Sequence, residues 1–355
     1  MIGIAGIRTL IAFAEIASHN HFAWVTSGIV CSRTAPVITL KRGVAASEML
    51  GLLGLLNSST ACFWLKQVCY MKGAGGEGGG LSDSPWEERY AYDGTKLKLF
   101  PLSGERPLKI VEQIQQSVEQ MMLVLPEQLF GLEAPTHVGL GQAREKCQAL
   151  LQKMIALQEE LDWQVYHLYE LLPDDLSLAL DQVPPIELGQ RPFEIVMARQ
   201  MEAGELETTW FERHDSTPIT QIPLDWPQHY RKAVEKRIQI IETNRDIALI
   251  EQPEYKRRWN LPSWDELQQK ALENWLLDRM ETETLWQQPE LLTCARLADR
   301  LRRDPDFVQV AEIYSSNTDL TELVTKLALK QAVPFLPVLR YKPSGLEKSK
   351  DWEKV

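Results

Sequence analysis

The sequence predicts an α+β fold in which a small mixed α/β domain precedes a mainly helical domain with a long amphipathic helix. Two short runs rich in β-branched and aromatic residues, typical of strands, lie within residues 21–40. Residues 125–141 contain two prolines and three glycines, a composition typical of a linker. Apolar residues then recur with helical spacing over residues 150–172. We therefore expect strands and short helices at the front of the chain and helices in the rest.

Turn and capping residues divide the front of the chain into short elements. Ser27 and Gly28 predict a turn between the two strand-like runs. Ser47 is placed to cap a first helix, and the break at Asn57-Ser58-Ser59 is placed to cap a second helix that ends at Val68. Two short helices in direct succession are therefore expected after the strands.

A strand and a longer helix are expected next. Residues 96–100 alternate polar and apolar side chains, which predicts the strand. Pro107 is suited to the first turn of a helix, and Pro126 sets its end.

Seven apolar residues define the long helix by steps of three and four. They are Leu150, Met154, Leu157, Leu161, Val165, Leu168 and Leu172. The six steps average about 3.67 residues per turn, close to the period of a straight α-helix. A strict heptad seam through Leu151 and Met154 would place the polar Gln158 in its core, which favours one amphipathic helix over a true coiled coil. Residues 229–250 repeat part of the spacing and are its expected partner, either in an intramolecular antiparallel hairpin or as a seam between two copies.

These patterns divide the chain into three parts. Residues 1–125 form the mixed α/β domain, residues 126–141 the linker and residues 142–355 the helical extension. Within the extension, a Ser-x-x-Glu pattern at Ser263 and Glu266 predicts a capped helix start.

The charge of the chain is negative overall but unevenly distributed. A net charge of −11 argues against a protein whose whole surface binds nucleic acid or an anionic membrane. Residues 1–110 nevertheless contain 11 basic residues against 8 acidic ones, whereas the remainder contains 27 against 41. A mildly basic front and an acidic back predict different partners for the two.

The cysteines and the apolar runs predict a cytoplasmic protein. The five cysteines lie apart, without the spacing of zinc ligands, and so predict reduced thiols. Arg8 and Glu15 interrupt the apolar N-terminal run, and no uncharged apolar run reaches about 18 residues. We expect no membrane partner.

The run GAGGEGGG at residues 73–80 is the main candidate binding element. It lacks the Gly-Lys-Ser/Thr of a phosphate-binding loop, and no strand precedes it as in a dinucleotide fingerprint. Two interpretations remain open: a flexible surface connection, or a loop whose missing side chains permit close approach to a phosphate backbone. In the second interpretation Lys66, Lys72 and Arg89 supply positive charge.

Two short runs resemble nuclease motifs only in part. His19 and His21 could share one face of a strand, but no third metal ligand stands nearby. Glu254 and Lys256, with Asp246 upstream, could suggest an acid-and-lysine site, but that chemistry needs paired strands and this segment reads as the end of a helix. We therefore expect no catalytic residue and no metal site.

A tryptophan-rich stretch lies beside a second basic run. Lys256, Arg257 and Arg258 are interpreted as a solvated or phosphate-facing basic patch. The tryptophans are Trp210, Trp226, Trp259, Trp264 and Trp275. Such residues can stack on bases, but they more often join helices, and we favour the core interpretation.

Several long runs resemble one family. FAEIASHNHF, SRTAPVITL, LLGLLNSSTACFWLKQV, the glycine loop and YDGTKLKLFPL resemble the target-recognition region of adenine-specific DNA methyltransferases. Further runs resemble the C-terminal extension of PglX, the methyltransferase of type 2 BREX phage-defence systems. These are LQEELDWQVYHLYELL, PFEIVMARQMEAGELETTWFERHDSTPIT, PEYKRRWNLPSWDELQQKALENWLLDRM and AVPFLPVLRYKPSGL. The resemblance covers roughly residues 12–355.

The resemblance implies the DNA-reading and C-terminal part of an N6-adenine methyltransferase. Enzymes of this family bind S-adenosylmethionine in an N-terminal α/β domain and hold a flipped adenine with an Asn-Pro-Pro-Tyr motif. The Pro-Pro pair here is Pro184-Pro185, in QVPPIEL, which has neither the asparagine nor the aromatic residue. We therefore expect this chain to bind no cofactor, to lack the catalytic domain and not to be a self-sufficient enzyme.

The same resemblance implies a DNA contact surface. Loops in residues 20–100 would contact bases of double-stranded DNA, and nearby basic residues would contact phosphates. The expected contacts are Lys66, Lys72, Gly73, Gly75, Gly76, Arg89, Lys96 and Lys98. A separate catalytic methyltransferase half or other defence proteins are further expected partners. The alternative function is a scaffold that docks other defence proteins through the acidic helical part.

Overall fold

The chain folds into two compact units. The computed structural model describes residues 10–25, 31–39, 43–72, 84–130, 134–259, 261–287, 290–330 and 338–339. The first unit comprises Met1–Glu119 and Ala149–Asn260, and the second comprises Gln120–Gln148 and Leu261–Val355. The first unit thus combines the mixed α/β region with much of the helical extension, and the functional boundaries at 125 and 141 stay a prediction.

The described residues of the first unit form two antiparallel sheets of three strands. The strands are β1 (Leu10–Phe13), β2 (Ile16–Ala17), β3 (Phe22–Val25), β4 (Val37–Ile38), β5 (Tyr70–Lys72) and β6 (Arg89–Ala91). One sheet has the order β3-β1-β4 and the other β2-β6-β5. Ile11 and Phe13 of β1 and Phe22 of β3 are buried, so the first sheet covers part of the core. The predicted turn at Ser27 and Gly28 lies outside the described residues.

Helices make up most of the remaining structure, so the predicted α+β class is confirmed. They are α1 (Ala46–Leu56), α2 (Ser59–Val68), α3 (Gly94–Leu97), α4 (Leu108–Val124), α5 (Pro126–Leu129), α6 (His137–Leu168), α7 (Pro192–Glu202), α8 (Trp210–Arg213), α9 (Gln228–Thr243), α10 (Arg245–Ile250), α11 (Trp264–Met280), α12 (Cys294–Leu301), α13 (Pro305–Tyr314) and α14 (Leu320–Lys330). Ser58 caps α2 as predicted, because its side chain accepts a hydrogen bond from the N–H of Ala61. The predicted Ser47 cap is wrong, since α1 already begins at Ala46.

Helix α3 replaces the strand predicted over residues 96–100. The Asp93 side chain accepts hydrogen bonds from the N–H groups of Thr95 and Lys96 at 2.7 and 2.9 Å, which caps a helical turn. Polar and apolar residues alternate here as in a strand, but the cap satisfies the backbone locally and Phe100 then enters the core.

Helix α6 is the central element of the first unit and is buried on all sides over residues 154–163. Leu157 and Leu161 pack in the core shared with the first sheet, α1 and α2. Ile155 packs in a second core with residues of α7, α9 and α10. The sequence predicted one apolar face for this helix. Because residues 154–163 are buried on all sides, its polar residues there need hydrogen-bond partners inside the protein.

Helix α9 contacts α6 within the chain, as the spacing of residues 229–250 predicted. Val234 and Ile238 are buried in the same core as Ile155. The Arg237 guanidinium donates to both carboxylate oxygens of Glu160 on α6, at 2.8 and 2.6 Å. Because these apolar residues are buried inside one chain, they form no seam between copies in this structure.

Trp210 and Trp226 are buried in the core of the first unit, as favoured from the sequence. Trp210 Nε1 donates to Glu194 Oε1 at 3.0 Å, and Glu194 also pairs with the buried Arg191 at 2.6 Å. These two tryptophans therefore join helices and do not present stacking surfaces. Trp259, Trp264 and Trp275 are only partly buried.

The second unit is a helical bundle with its own core. Leu272, Leu276 and Phe307 are fully buried there, and β7 (Leu292–Thr293) pairs in parallel with β8 (Val338–Leu339). The capping box predicted for α11 is confirmed, since Ser263 and Glu266 bond each other's backbone N–H groups. None of the helices in the described parts of the chain has the length and apolar character needed to span a bilayer.

Candidate nucleic-acid interface

The sheet β2-β6-β5 presents an exposed face beside the glycine run. Lys72 lies opposite Arg89, and Tyr70 lies opposite Ala91. Opposite residues share a face of a sheet, and residues two apart along a strand share it too, so these four side chains lie on one side. Tyr70 is 71% exposed, and Lys72 and Arg89 are also exposed.

Positive charge is concentrated on this face. Lys72 and Arg89 form no ion pair with any residue that the structure describes. Like charges directly opposite each other destabilise an antiparallel pair, so an anion lying above both would relieve the repulsion. Lys96 Nζ lies 5.8 Å from the centroid of the Tyr70 ring, within the range of a cation–π contact. We call Tyr70, Lys72, Arg89 and Lys96 the cationic face.

The remaining predicted contacts on this side differ in what the structure shows of them. Lys98 is exposed and lies at the C-terminal end of α3. Gly73, Gly75 and Gly76 lie outside the described residues, so their predicted approach to a phosphate backbone stays a prediction.

Lys66 does not lie on the cationic face. It is 7% exposed, and its Nζ donates to the carbonyl oxygen of Glu254 at 2.8 Å. The rings of Tyr90 and Tyr255 lie 5.1 and 5.7 Å from the same nitrogen. Burial lowers the pKa of Lys66. This placement corrects the expectation of a phosphate contact, since Lys66 joins α2 to the segment after α10.

Lys256 is fully buried and lies among three carboxylates. Its Nζ is 2.9 Å from Asp162, 3.0 Å from Glu251 and 3.2 Å from Glu159. Burial alone would lower the pKa of Lys256, but the three carboxylates raise it above its ordinary value. We call these four residues the Lys256 cluster. It corrects the interpretation of Lys256 as part of a solvated or phosphate-facing patch.

Asp162 extends this cluster to the start of α2. It accepts hydrogen bonds from the Ser59 backbone N–H at 2.8 Å and from Ser59 Oγ at 2.6 Å. A carboxylate at a helix N-terminus satisfies free N–H groups and is favoured by the helix dipole. The cluster therefore ties α6, α2 and the segment after α10 together from inside.

The Lys256 cluster is an ion network and gives no sign of a metal site. Among the described residues, no group of three His, Cys, Asp or Glu side chains is arranged to hold a metal ion. Neither Asp246 nor Glu254 forms an ion pair with Lys256 in the part of the chain that the structure describes. The acids that do so lie on helix α6 and at the end of α10, not on paired strands.

Arg257 and Arg258 are also engaged with other parts of the first unit. Arg257 donates to Asn57 Oδ1 at 3.0 Å, and burial lowers its pKa to about 10. Arg258 donates to Ser18 Oγ at 3.0 Å, and its guanidinium lies 5.4 Å from the Trp86 ring. Both side chains are partly exposed, so their predicted role as a secondary DNA contact stays a prediction.

His19 and His21 lie close together but belong to no metal-binding group among the described residues. Their ring centroids are 5.0 Å apart, and His19 Nε2 lies 3.1 Å from the carbonyl oxygen of Tyr255. Burial lowers the pKa of His19, and burial together with Arg257 and Arg258 lowers that of His21 to about 4. Both rings are therefore held neutral.

Sequence reasoning missed two features of this region. The expectation that no strand precedes the glycine run was wrong, because β5 (Tyr70–Lys72) ends directly before it. An aromatic residue two positions before Lys72 was a signal for a shared strand face. The acids Glu159 and Asp162 were not singled out, because an amphipathic helix is expected to keep its polar residues on a solvated face. The run EELD within an otherwise apolar stripe was the available signal.

Comparisons with known proteins agree with the resemblance found in the sequence. The chain is 49% identical over 354 residues to the adenine-specific methyltransferase PglX of Streptomyces coelicolor. The alignment covers 97% of this chain and 29% of that protein, so the chain spans less than a third of the length of this curated relative. The predicted resemblance to PglX is thereby confirmed.

Two further comparisons concern solved structures and the family of the chain. No solved structure matches the chain. Residues 154–355 match the family model described as Domain of unknown function (DUF7008). Because that match covers more than half of the chain, the chain belongs to the DUF7008 family.

Proposed function

We propose that this chain supplies DNA recognition to an adenine-specific DNA methyltransferase of the PglX type that serves phage defence in the cytoplasm. The observation that carries the proposal is the cationic face, in which Lys72 and Arg89 lie opposite each other without an acidic partner among the described residues. The similarity to the adenine-specific methyltransferase of Streptomyces coelicolor supports the same conclusion.

The cationic face suits duplex DNA through two kinds of contact. Lys72, Arg89, Lys96 and Lys98 would bind phosphates, which fixes the position of the protein on DNA. Tyr70 would stack on a base that is extruded from the duplex, since an exposed aromatic ring accepts any base. In this proposal, base-specific contacts come from loops in residues 20–100.

The methyl transfer itself is assigned to the full-length proteins of this type. S-adenosylmethionine is the proposed methyl donor there, and no residue of this chain is assigned to it. The chain's own Pro-Pro pair, Pro184-Pro185, lacks the neighbours of an Asn-Pro-Pro-Tyr motif.

Equilibrium binding to a long mixed-sequence duplex at several salt concentrations tests the proposal. Each phosphate contact contributes about 0.9 to the slope of log affinity against log salt. We expect Lys72→Ala with Arg89→Ala to lower that slope by roughly twice this amount. Lys236→Ala, an exposed lysine on α9, is the matched control and should leave the slope unchanged. An unchanged slope in the double variant, or no binding by the parent chain at low salt, would refute the proposal.

A second candidate function is a scaffold that docks a separate catalytic half or other defence proteins. Met122 and Leu123, adjacent on the part of α4 that belongs to the helical second unit, are 57% and 72% exposed, and an exposed apolar patch can mark a protein contact. If this function holds, Met122→Lys with Leu123→Lys should abolish co-elution with a separately produced S-adenosylmethionine-binding domain of a relative. The same double variant should leave the salt slope of DNA binding unchanged.

A further inference from the structure

A cavity of about 510 Å³ lies within the first unit, and no residue of the cationic face is among its described lining residues. Residues of the segment before β6, of α7, and of the ends of α9 and α10 line it. This volume lies within the range of small-molecule sites in proteins. The proposed function gives this cavity no role.

The walls of the cavity are mostly apolar. Trp86, Phe193, Met197 and Ile241 line it and are each at most 6% exposed in the folded chain. A ligand that enters the cavity must therefore present apolar surface along much of its length.

The charge on the cavity is of one sign. Glu207, Glu242, Glu251 and Glu254 line it, and its described lining residues include no lysine, arginine or histidine. Two of these acids are paired, Glu251 with Lys256 at 3.0 Å and Glu242 with Arg199 at 3.6 Å, whereas Glu207 and Glu254 form no ion pair with a described residue. The cavity therefore favours a cation over an anion or a neutral molecule.

The two carboxylate oxygens of Glu251 in this wall differ in their described hydrogen bonds. Glu251 is 3% exposed, and its Oε1 accepts hydrogen bonds from Tyr166 at 2.5 Å and from Lys256 at 3.0 Å. Its Oε2 has no hydrogen-bond partner among the described residues. Buried polar atoms are nearly always bonded, and this orphan atom belongs to a residue that lines the cavity. A donor bound in the cavity would satisfy it.

We propose that this cavity binds an aliphatic amine that carries two or more ammonium groups. One ammonium donates to Glu251 Oε2, the methylene chain lies against Phe193 and Met197, and a second ammonium lies between Glu207 and Glu242 at the exposed edge. The inference is independent of DNA binding, because the cavity and the cationic face have no described residue in common.

Calorimetric titration of the full chain with spermidine tests the assignment. We expect saturable binding with one site, weakened at least tenfold by Glu207→Gln with Glu242→Gln. Glu202→Gln on α7 removes an exposed acid that does not line the cavity, and it should leave the affinity unchanged. Equal weakening by the control and by the cavity variant would show diffuse attraction to an acidic chain and would overturn the proposal.

Two further measurements separate the cavity from other acidic surface. Met197→Trp fills the cavity without removing a charge, and it should abolish binding while circular dichroism shows the same helical content. Binding of 1,6-diaminohexane but not of 1,6-hexanediol is expected, because the ammonium groups supply the donors. No saturable binding by the parent chain, or full binding by Met197→Trp, would overturn the proposal.

Discussion

The Lys256 cluster and the cationic face use the same kind of side chain in opposite surroundings. Lys256 is completely buried and lies within 3.2 Å of three carboxylates. Lys72 is exposed, lies opposite Arg89 and has no acidic partner among the described residues. The sequence had suggested a phosphate-facing position for both lysines.

The comparison shows that a lysine's partners, and not its neighbours in sequence, indicate its role. A buried charge is tolerated only when it is paired and hydrogen-bonded, so the Lys256 cluster is committed to holding elements of the first unit together. An exposed pair of like charges adds nothing to the stability of the sheet. Such a pair is the better candidate for an external anion.

The largest expected effect comes from removing the cation of the Lys256 cluster. Lys256→Met leaves Glu159, Asp162 and Glu251 buried without their common partner. We expect the free energy of unfolding to fall by about 3–5 kcal/mol, the cost typical of breaking a buried ion pair. Urea unfolding followed by circular dichroism measures it. Lys236→Met, on the exposed side of α9, is the control and should change stability by less than about 0.5 kcal/mol. A similar small change for both variants would show that the cluster has no stabilising role.

The pH dependence of stability provides a second test of the cluster. Burial raises the pKa of Glu159 from its usual 4.5 to about 7, with the Lys256 ammonium opposing the shift. A carboxyl group with a raised folded-state pKa binds its proton more tightly when folded. The contribution of Glu159 to the free energy of unfolding is therefore complete below about pH 4.5 and is lost as the pH rises to about 7.

The glutamine of a Glu159→Gln variant does not ionise, so the stability of the variant should not show this loss. Between pH 5 and 7 we expect the variant to lose less free energy of unfolding than the parent, by at most about 3 kcal/mol. Urea unfolding at intervals across that range measures the difference. Glu235→Gln, an exposed acid on α9, should follow the parent. Parallel curves for parent and Glu159→Gln would mean that Glu159 stays ionised in the fold.

Local signals in the sequence predicted much of the fold. Ser58 and Ser263 cap helices as expected because a cap depends on residues only three positions apart. Pro107 and Pro126 bracket α4 for a similar reason. The strand predicted over residues 96–100 failed because a single hydrogen-bonding side chain, Asp93, outweighed the alternation of the residues that follow it.

The candidate site was less accessible to sequence reasoning because its contacts are long-range. Lys256 donates a hydrogen bond to Asp162, which is 94 positions away in the sequence. Lys66 donates one to the carbonyl oxygen of Glu254, which is 188 positions away. No local pattern shows which polar residues of α6 face inward, since the apolar stripe accounts for only one side of a helix that is buried all round. Lys72 and Arg89, by contrast, lie in a short hairpin-like pair close to the glycine run that drew attention to them.

A smaller effect is expected from the aromatic residue of the cationic face. Tyr70→Ala should weaken binding to a duplex that contains one mismatched adenine by about 1–3 kcal/mol, the range typical of a base stacked on an aromatic ring. The salt slope should stay the same, because stacking displaces no counterions. Tyr70→Phe keeps the ring and should bind like the parent. Fluorescence anisotropy with labelled DNA measures all three proteins, and equal weakening by both variants would exclude stacking.

The smallest expected effect on stability comes from reversing one charge of the cationic face. Lys72→Glu places an acid opposite Arg89 and converts repulsion into attraction, so the free energy of unfolding should rise by about 0.2–1 kcal/mol. The same change removes a phosphate contact and should lower the salt slope of DNA binding by about 0.9. Lys72→Gln removes the repulsion without adding attraction, and its stability should lie between the other two. If Lys72→Glu is more stable and binds DNA more weakly, the cationic face favours anion binding and lowers the stability of the sheet. A less stable Lys72→Glu variant would show that Lys72 and Arg89 do not repel each other, and the contrast with the Lys256 cluster would then lose its basis.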